Sequence, residues 1–107
     1  MRPLRAGFFE WAANEMRRHD IRMLTEAAHS ITRFDSRGWI GDVDVPTAAI
    51  RTNRDRLVDP ANQTELVTMI NQARLVEHDD GHIACARSTF ATPMMKACRD
   101  VAWRAST

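Results

Sequence analysis

With 107 residues, the chain holds one small domain or a piece of a larger one, and 44% apolar against 27% charged residues marks it as globular rather than disordered. A net charge of +1 gives no general attraction for nucleic acid, and no run of roughly 18 apolar residues offers a membrane span. The opening MRPLRAGFFEWAANEMRR lacks the continuous apolar stretch of a signal peptide, so Cys85 and Cys98 are expected as reduced thiols of a cytoplasmic protein.

The first 40 residues read as helical. Phe8, Phe9, Trp11, Ala12 and Met16 supply apolar surface to a helix over residues 5–18. Ile21, Leu24, Ala28 and Ile31 recur at spacings of three and four, which predicts a second helix over 20–33 with one apolar face and Asp20 as its N-cap. Seven arginines stand against five acids in residues 1–40. An excess of two is met by a solvated helix face and is too small for a phosphate-binding footprint, which argues against a helix-turn-helix DNA binder in residues 8–33. The stretch FDSRGWIGDVDVP, with two glycines, three aspartates and a closing Pro46, is a loop.

Beyond residue 45 the pattern changes type. Val45 with TAAI is an apolar run of strand length, followed by the polar loop NRDRLVDP. Asp59 and Pro60 open a helix to about residue 71, with Asp59 as cap, Pro60 in the first helical position, and Leu66, Met69 and Ile70 as its buried stripe. ARLVEH is a second strand. Ser88 is expected to cap a last helix reaching about residue 104, with Phe90, Met94, Met95, Cys98, Val101 and Ala102 facing inward. Strand, helix, strand and helix at these lengths predict a βαβ unit with a parallel strand pair. Two parallel strands make a poor sheet by themselves, so residues 45 onward read as the end of a larger sheet whose edge needs cover.

In open α/β sheets, functional side chains sit in the loops at the carboxyl ends of strands. Asp55 follows the first strand in RTNRDRLVDP, and His82 follows the second in EHDDGHIAC. Alone, Asp55 reads as a loop aspartate that stabilises a turn, and His82 as a surface histidine. Asp59 competes with Asp55 as a functional acid, although its place before Pro60 suits capping. Together, VPTAAIRTNRDRLVDP (with D-x-L-V-x-P at Asp55, Leu57, Val58 and Pro60) and ARLVEHDDGHIAC (with Gly81-His82) resemble the C-terminal portion of an α/β-hydrolase-fold serine hydrolase of the esterase or lipase kind. The resemblance implies a partial α/β-hydrolase-like α/β fold. Its first part, residues 1–40, is a cap-like helical segment, and residues 41–107 are a β-α-β-α unit with two parallel strands. It also implies that Asp55 is the triad acid and His82 the base that takes a proton from a serine.

The nucleophile of that family sits in a G-x-S-x-G elbow between strand and helix. Ser30 lies in a helical pattern between Ala28 and Thr32, and Ser36 has Gly38 ahead but Phe34 behind. Ser88 follows the histidine loop and Ser106 is near the terminus, so none fits. The oxyanion-hole glycine motif is absent as well. The expectation is a truncated relative that keeps acid and histidine without nucleophile, is inactive alone, and acts on an ester substrate if another chain supplies the serine. The alternative is a small interaction protein that uses its sheet edge and apolar helices to homo-oligomerise or to bind a partner chain.

No cofactor is expected. His78, Asp79, Asp80, His82 and Cys85 fall close together in the sequence, but strand alternation would turn His78 away from its neighbours, so no metal is expected there. Met94, Met95, Trp11, Trp39 and Trp103 read as core or buried contact surface.

Overall fold

The computed structural model describes residues 4–106, and the chain divides between Asp35 and Ser36 into two compact units. The first contains helices α1 (Leu4–Arg18) and α2 (Ile21–Arg33). The helical run breaks at Asp20, which is extended and accepts a hydrogen bond from the Arg22 N–H at 2.9 Å, the N-cap role expected of it. The apolar stripe of α2 forms as the periodicity predicts, yet α2 buries none of its residues, and Ile21 and Ile31 are 79% and 74% exposed.

The second unit runs β1 (Ala48–Thr52), α3 (Pro60–Met69), β2 (Arg74–His78) and α4 (Ala91–Ala105). The strands are parallel, with Ile50 opposite Val76 and Thr52 opposite His78. The described residues therefore form a mixed α/β chain of four α-helices and a two-stranded parallel sheet. Alternation along β1 sends Ile50 toward α4 and Arg51 toward α3, where its guanidinium meets the Thr64 hydroxyl at 3.1 Å. Arg51 also pairs with Glu77, its register partner on β2. Asp59 caps α3 by accepting the Ala61 N–H at 2.9 Å, with Pro60 in the first turn as expected.

The core is small. Val67, Ile70, Val76, Ala84 and Ala97 are its buried apolar members, and among the described residues no large side chain is fully enclosed. Leu66, expected in the buried stripe of α3, is instead 41% exposed, and Val67 takes its place. In α4 the buried residues are Pro93 and Ala97, whereas Met94, Met95 and Cys98, expected inward, are exposed. The reason is width: two strands are too narrow to cover the apolar face of a 15-residue helix. That face opens instead onto a cleft of about 450 Å³ shared by Ala48, Ile50, Met94, Cys98 and Val101. Trp11, Trp39 and Trp103, also expected as buried surface, are 52–71% exposed. Ser88 makes no cap bond either; it begins a 3₁₀ turn, Ser88–Phe90, and α4 starts at Ala91. Pro93 sits at the third position of α4 and has no N–H, which removes one of the donors a capping side chain would bond.

The amino end of the sheet is clamped by Arg104. Its guanidinium donates to the Thr47 carbonyl at 2.6 Å, ahead of β1, and to the Gln72 carbonyl at 3.0 Å, ahead of β2. Asp100 holds it in place from one helical turn back, at 2.6 and 2.9 Å. Gln72 carries a φ of 57°, the left-handed conformation that the tight turn between α3 and β2 requires. Among the described residues, no helix is long and apolar enough to cross a membrane. Replacing Arg104 by Ala leaves two strand-entry carbonyls short of a charged donor and is expected to lower the unfolding free energy by about 1–3 kcal/mol, measured by urea denaturation.

Candidate functional site

At the carboxyl ends of the strands the pairing continues past the sheet. The Asn53 N–H donates to the His78 carbonyl at 2.9 Å, and the Arg54 N–H to the Asp80 carbonyl at 3.0 Å. The Arg54 guanidinium adds a bond to the Asp79 carbonyl at 2.6 Å and an ion pair with its carboxylate at 3.2 Å. These contacts draw together two loops that are remote in sequence, and the next residues on each side are Asp55 and, two beyond Asp80, His82. The His82 Nδ1 lies 3.2 Å from Asp55 Oδ2 across 27 positions of sequence.

Asp55 is the one buried charged or polar residue among those described, at 8% exposure. A carboxylate leaves water only when donors replace the water. Oδ1 accepts the backbone N–H groups of Leu57 and Val58, each at 2.9 Å, so the D-x-L-V segment folds around its own acid. Oδ2 accepts the Thr52 hydroxyl at 2.9 Å and faces His82. Burial alone pushes the carboxyl pKa up. The bonds from Val58, Leu57, Thr52 and His82 together more than offset this and hold it at about 2. Asp55 is thus ionised throughout the neutral range.

His82 is differently placed. Its side chain is about half exposed, and Nε2 has no hydrogen-bond partner among the described residues. The turn that presents it is closed by Asp80, whose Oδ1 accepts the Gly81 N–H at 2.7 Å. Asp80 Oδ2 in turn lies 3.2 Å from Arg87 Nε and 3.8 Å from His78 Nε2. A carboxylate on Nδ1 keeps the proton on that nitrogen, which leaves the Nε2 lone pair facing solvent as a proton acceptor. The arrangement can take a proton from a hydroxyl or water brought to Nε2 and stabilise the imidazolium that results.

Asp59 takes no part in this pair, being occupied as the cap of α3. Among the described residues, no three His, Cys, Asp or Glu side chains converge on a metal-binding arrangement. His78 packs edge-on against Phe90, with ring centroids 5.8 Å apart, rather than toward His82. Cys85 and Cys98 are free and exposed. No serine hydroxyl of the described residues bonds to His82.

Thr52 and Gln63 join the site without standing out in the sequence. Thr52 precedes Asp55 by three residues, a spacing at which a hydroxyl reaches forward across a turn to donate to the carboxylate. Gln63, in the first turn of α3, places Oε1 at 2.9 Å from the Thr52 N–H, and its Nε2 donates to the Val58 carbonyl at 2.9 Å and to the Thr52 hydroxyl at 3.1 Å. No family model matches the chain, nor does any curated protein or solved structure.

The low Asp55 pKa fixes a pH dependence of stability. Its folded value of about 2 lies below the ordinary 3.8, so its contribution is present above pH ~4 and is lost as pH falls toward 2. The stability gap between the wild-type chain and Asp55→Asn is therefore expected to be fully present above pH ~4 and to shrink steadily as pH falls toward 2, read from urea unfolding at each pH.

Proposed function

We propose that this chain carries the acid–base half of a serine hydrolase of the α/β-hydrolase type, acting on carboxylic esters. The observation that carries the reading is the 3.2 Å contact between a buried, ionised Asp55 and the half-exposed ring of His82. Its setting supports the same reading: both residues lie in loops at the carboxyl ends of adjacent parallel strands, in the order acid then histidine. The D-x-L-V-x-P and Gly-His motifs add to it by resemblance.

In this reading, Asp55 holds the Nδ1–H tautomer and offsets the charge that forms on the ring. His82 Nε2 removes the proton from an attacking serine hydroxyl and returns it to the leaving alcohol. The described residues place no serine at Nε2, so the nucleophile and its oxyanion hole come from sequence outside them, on this polypeptide or another. On this reading, the described residues by themselves supply no nucleophile at Nε2 with which to form an acyl-enzyme.

The test has two arms. The isolated 107-residue chain is expected to hydrolyse a p-nitrophenyl ester no faster than buffer and to resist labelling by a serine-directed fluorophosphonate. Strong labelling overturns the reading. Supplied with a polypeptide bearing the G-x-S-x-G strand–helix elbow, it is expected to gain esterase activity that falls by roughly 10⁴-fold in His82→Ala and in Asp55→Asn.

A second reading, a partner-binding module, is favoured by the exposed stripe of α2 and by the open apolar cleft between β1 and α4. It requires association. Sedimentation that finds only a monomer at about 100 μM, with no partner needed for cooperative unfolding, sets it aside.

A further inference from the structure

We infer that Gln63 is a positioning residue for the Asp55–His82 pair, one that fixes which atoms of Asp55 face inward and how the Thr52 hydroxyl points. The inference rests on the reading of Asp55 and His82 as a working acid and base.

One side chain here grips both limbs of the acid loop. On the entry side, Gln63 Oε1 accepts the N–H of Thr52, the last residue of β1. On the exit side, Gln63 Nε2 donates to the carbonyl of Val58. Asp55 lies midway between them and is bonded by N–H groups of that same exit limb, from Leu57 and Val58. The width of the loop, and with it the depth of the carboxylate, is thus set from α3, a helix that contributes no charge to the site.

The polarity of the Thr52 hydroxyl is the second effect. A hydroxyl has one proton to give. Gln63 Nε2 donates into the Thr52 oxygen at 3.1 Å, and the hydroxyl gives its proton to the charged Asp55 Oδ2 at 2.9 Å in preference to the neutral Gln63 Oε1 at 3.3 Å. The chain of donors runs from the Gln63 amide through the Thr52 hydroxyl to Asp55 Oδ2, the oxygen that faces His82. Each donor in such a chain polarises the next. The amide must be oriented with nitrogen toward Val58, because only that orientation gives the Thr52 N–H an acceptor and the Val58 carbonyl a donor. Gln63 Nε2 also stands 3.5 Å from Asp55 Oδ2, close enough that a carboxylate in its place repels Asp55 directly.

The experiment uses the full chain labelled with ¹³C and ¹⁵N. In the wild type, the Asp55 carboxyl is followed by ¹³C titration, the His82 ring nitrogens by their ¹⁵N shifts, and the Thr52 amide by hydrogen exchange. A protected Thr52 amide is expected, and one that exchanges freely overturns the inference. Gln63→Glu keeps the shape, replaces the donor by a second acceptor for the Thr52 hydroxyl, and adds a charge. Asp55 is then expected to titrate near 4 or above instead of at about 2, with loss of the single Nδ1–H tautomer of His82. Gln63→Leu removes both grips without adding charge and is expected to move Asp55 in the same direction by a smaller amount. If both variants fold and leave the Asp55 titration and the His82 tautomer at their wild-type values, Gln63 is only a structural side chain and the inference is overturned. Asp55→Asn run alongside tells the two ideas apart. Should it leave the His82 tautomer unmoved, the pairing of acid and base fails first; should it shift the tautomer while the Gln63 variants do not, the role of Gln63 alone fails.

Discussion

A carboxylate taken out of water needs donors in place of the water it leaves, and the second unit of this chain is arranged around meeting that need for Asp55. Two backbone N–H groups come from the loop that follows, a hydroxyl from the strand that precedes, and an imidazole from the neighbouring strand's loop. Each is delivered by a different part of the fold, so the ionised state of Asp55 is a property of the βαβ unit and not of its loop alone. The result is a carboxyl held well below its ordinary range despite burial, which is the condition for a fixed partner to an imidazole.

The two ends of the sheet are secured by different chemistry. At the amino end, Arg104 gathers the carbonyls that precede β1 and β2 and is itself fixed by Asp100. At the carboxyl end, backbone bonds from Asn53 and Arg54 extend the strand pairing into the loops. Only the second arrangement leaves side chains available for chemistry. Charge pins the amino end, while at the carboxyl end backbone bonds, with the Arg54–Asp79 ion pair beside them, bring Asp55 and His82 together.

Apolar surface is distributed less tidily. The core is a handful of side chains, while the cleft beside β1, the stripe of α2 and all three tryptophans lie open. Two parallel strands cannot cover an amphipathic helix of this length, and this narrowness gives both proposed readings their physical basis. A hydrolase sheet would continue past β1, and a binding module would fill the same surface with another protein.

Much of this was legible in the residues themselves. Asp20 and Asp59-Pro60 announce their helices because capping is a local contract between a side chain and the next two or three amides. The strands are readable as short apolar runs between polar loops, and their parallel pairing follows from the helix between them. The nearness of Asp55 to His82 follows from the same topology, since successive parallel strands present their following loops on one side. Local signals failed where the outcome depended on what lay opposite. Ser88 has the chemistry of a cap but is itself the first residue of a 3₁₀ turn, with a proline in the first turn of the helix beyond. Met94 is apolar and in register with the inward residues of α4 but lines an open cleft beside a sheet too narrow to cover it. By itself the sequence determined the elements, their order, and the two residues that meet at the strand ends, because these follow from short-range periodicity and connection rules. Only the tertiary structure decided that Asp55 is buried and ionised, that Thr52 and Gln63 serve it, and that His82 keeps one nitrogen open to solvent. Those facts depend on distances between segments that no local pattern records.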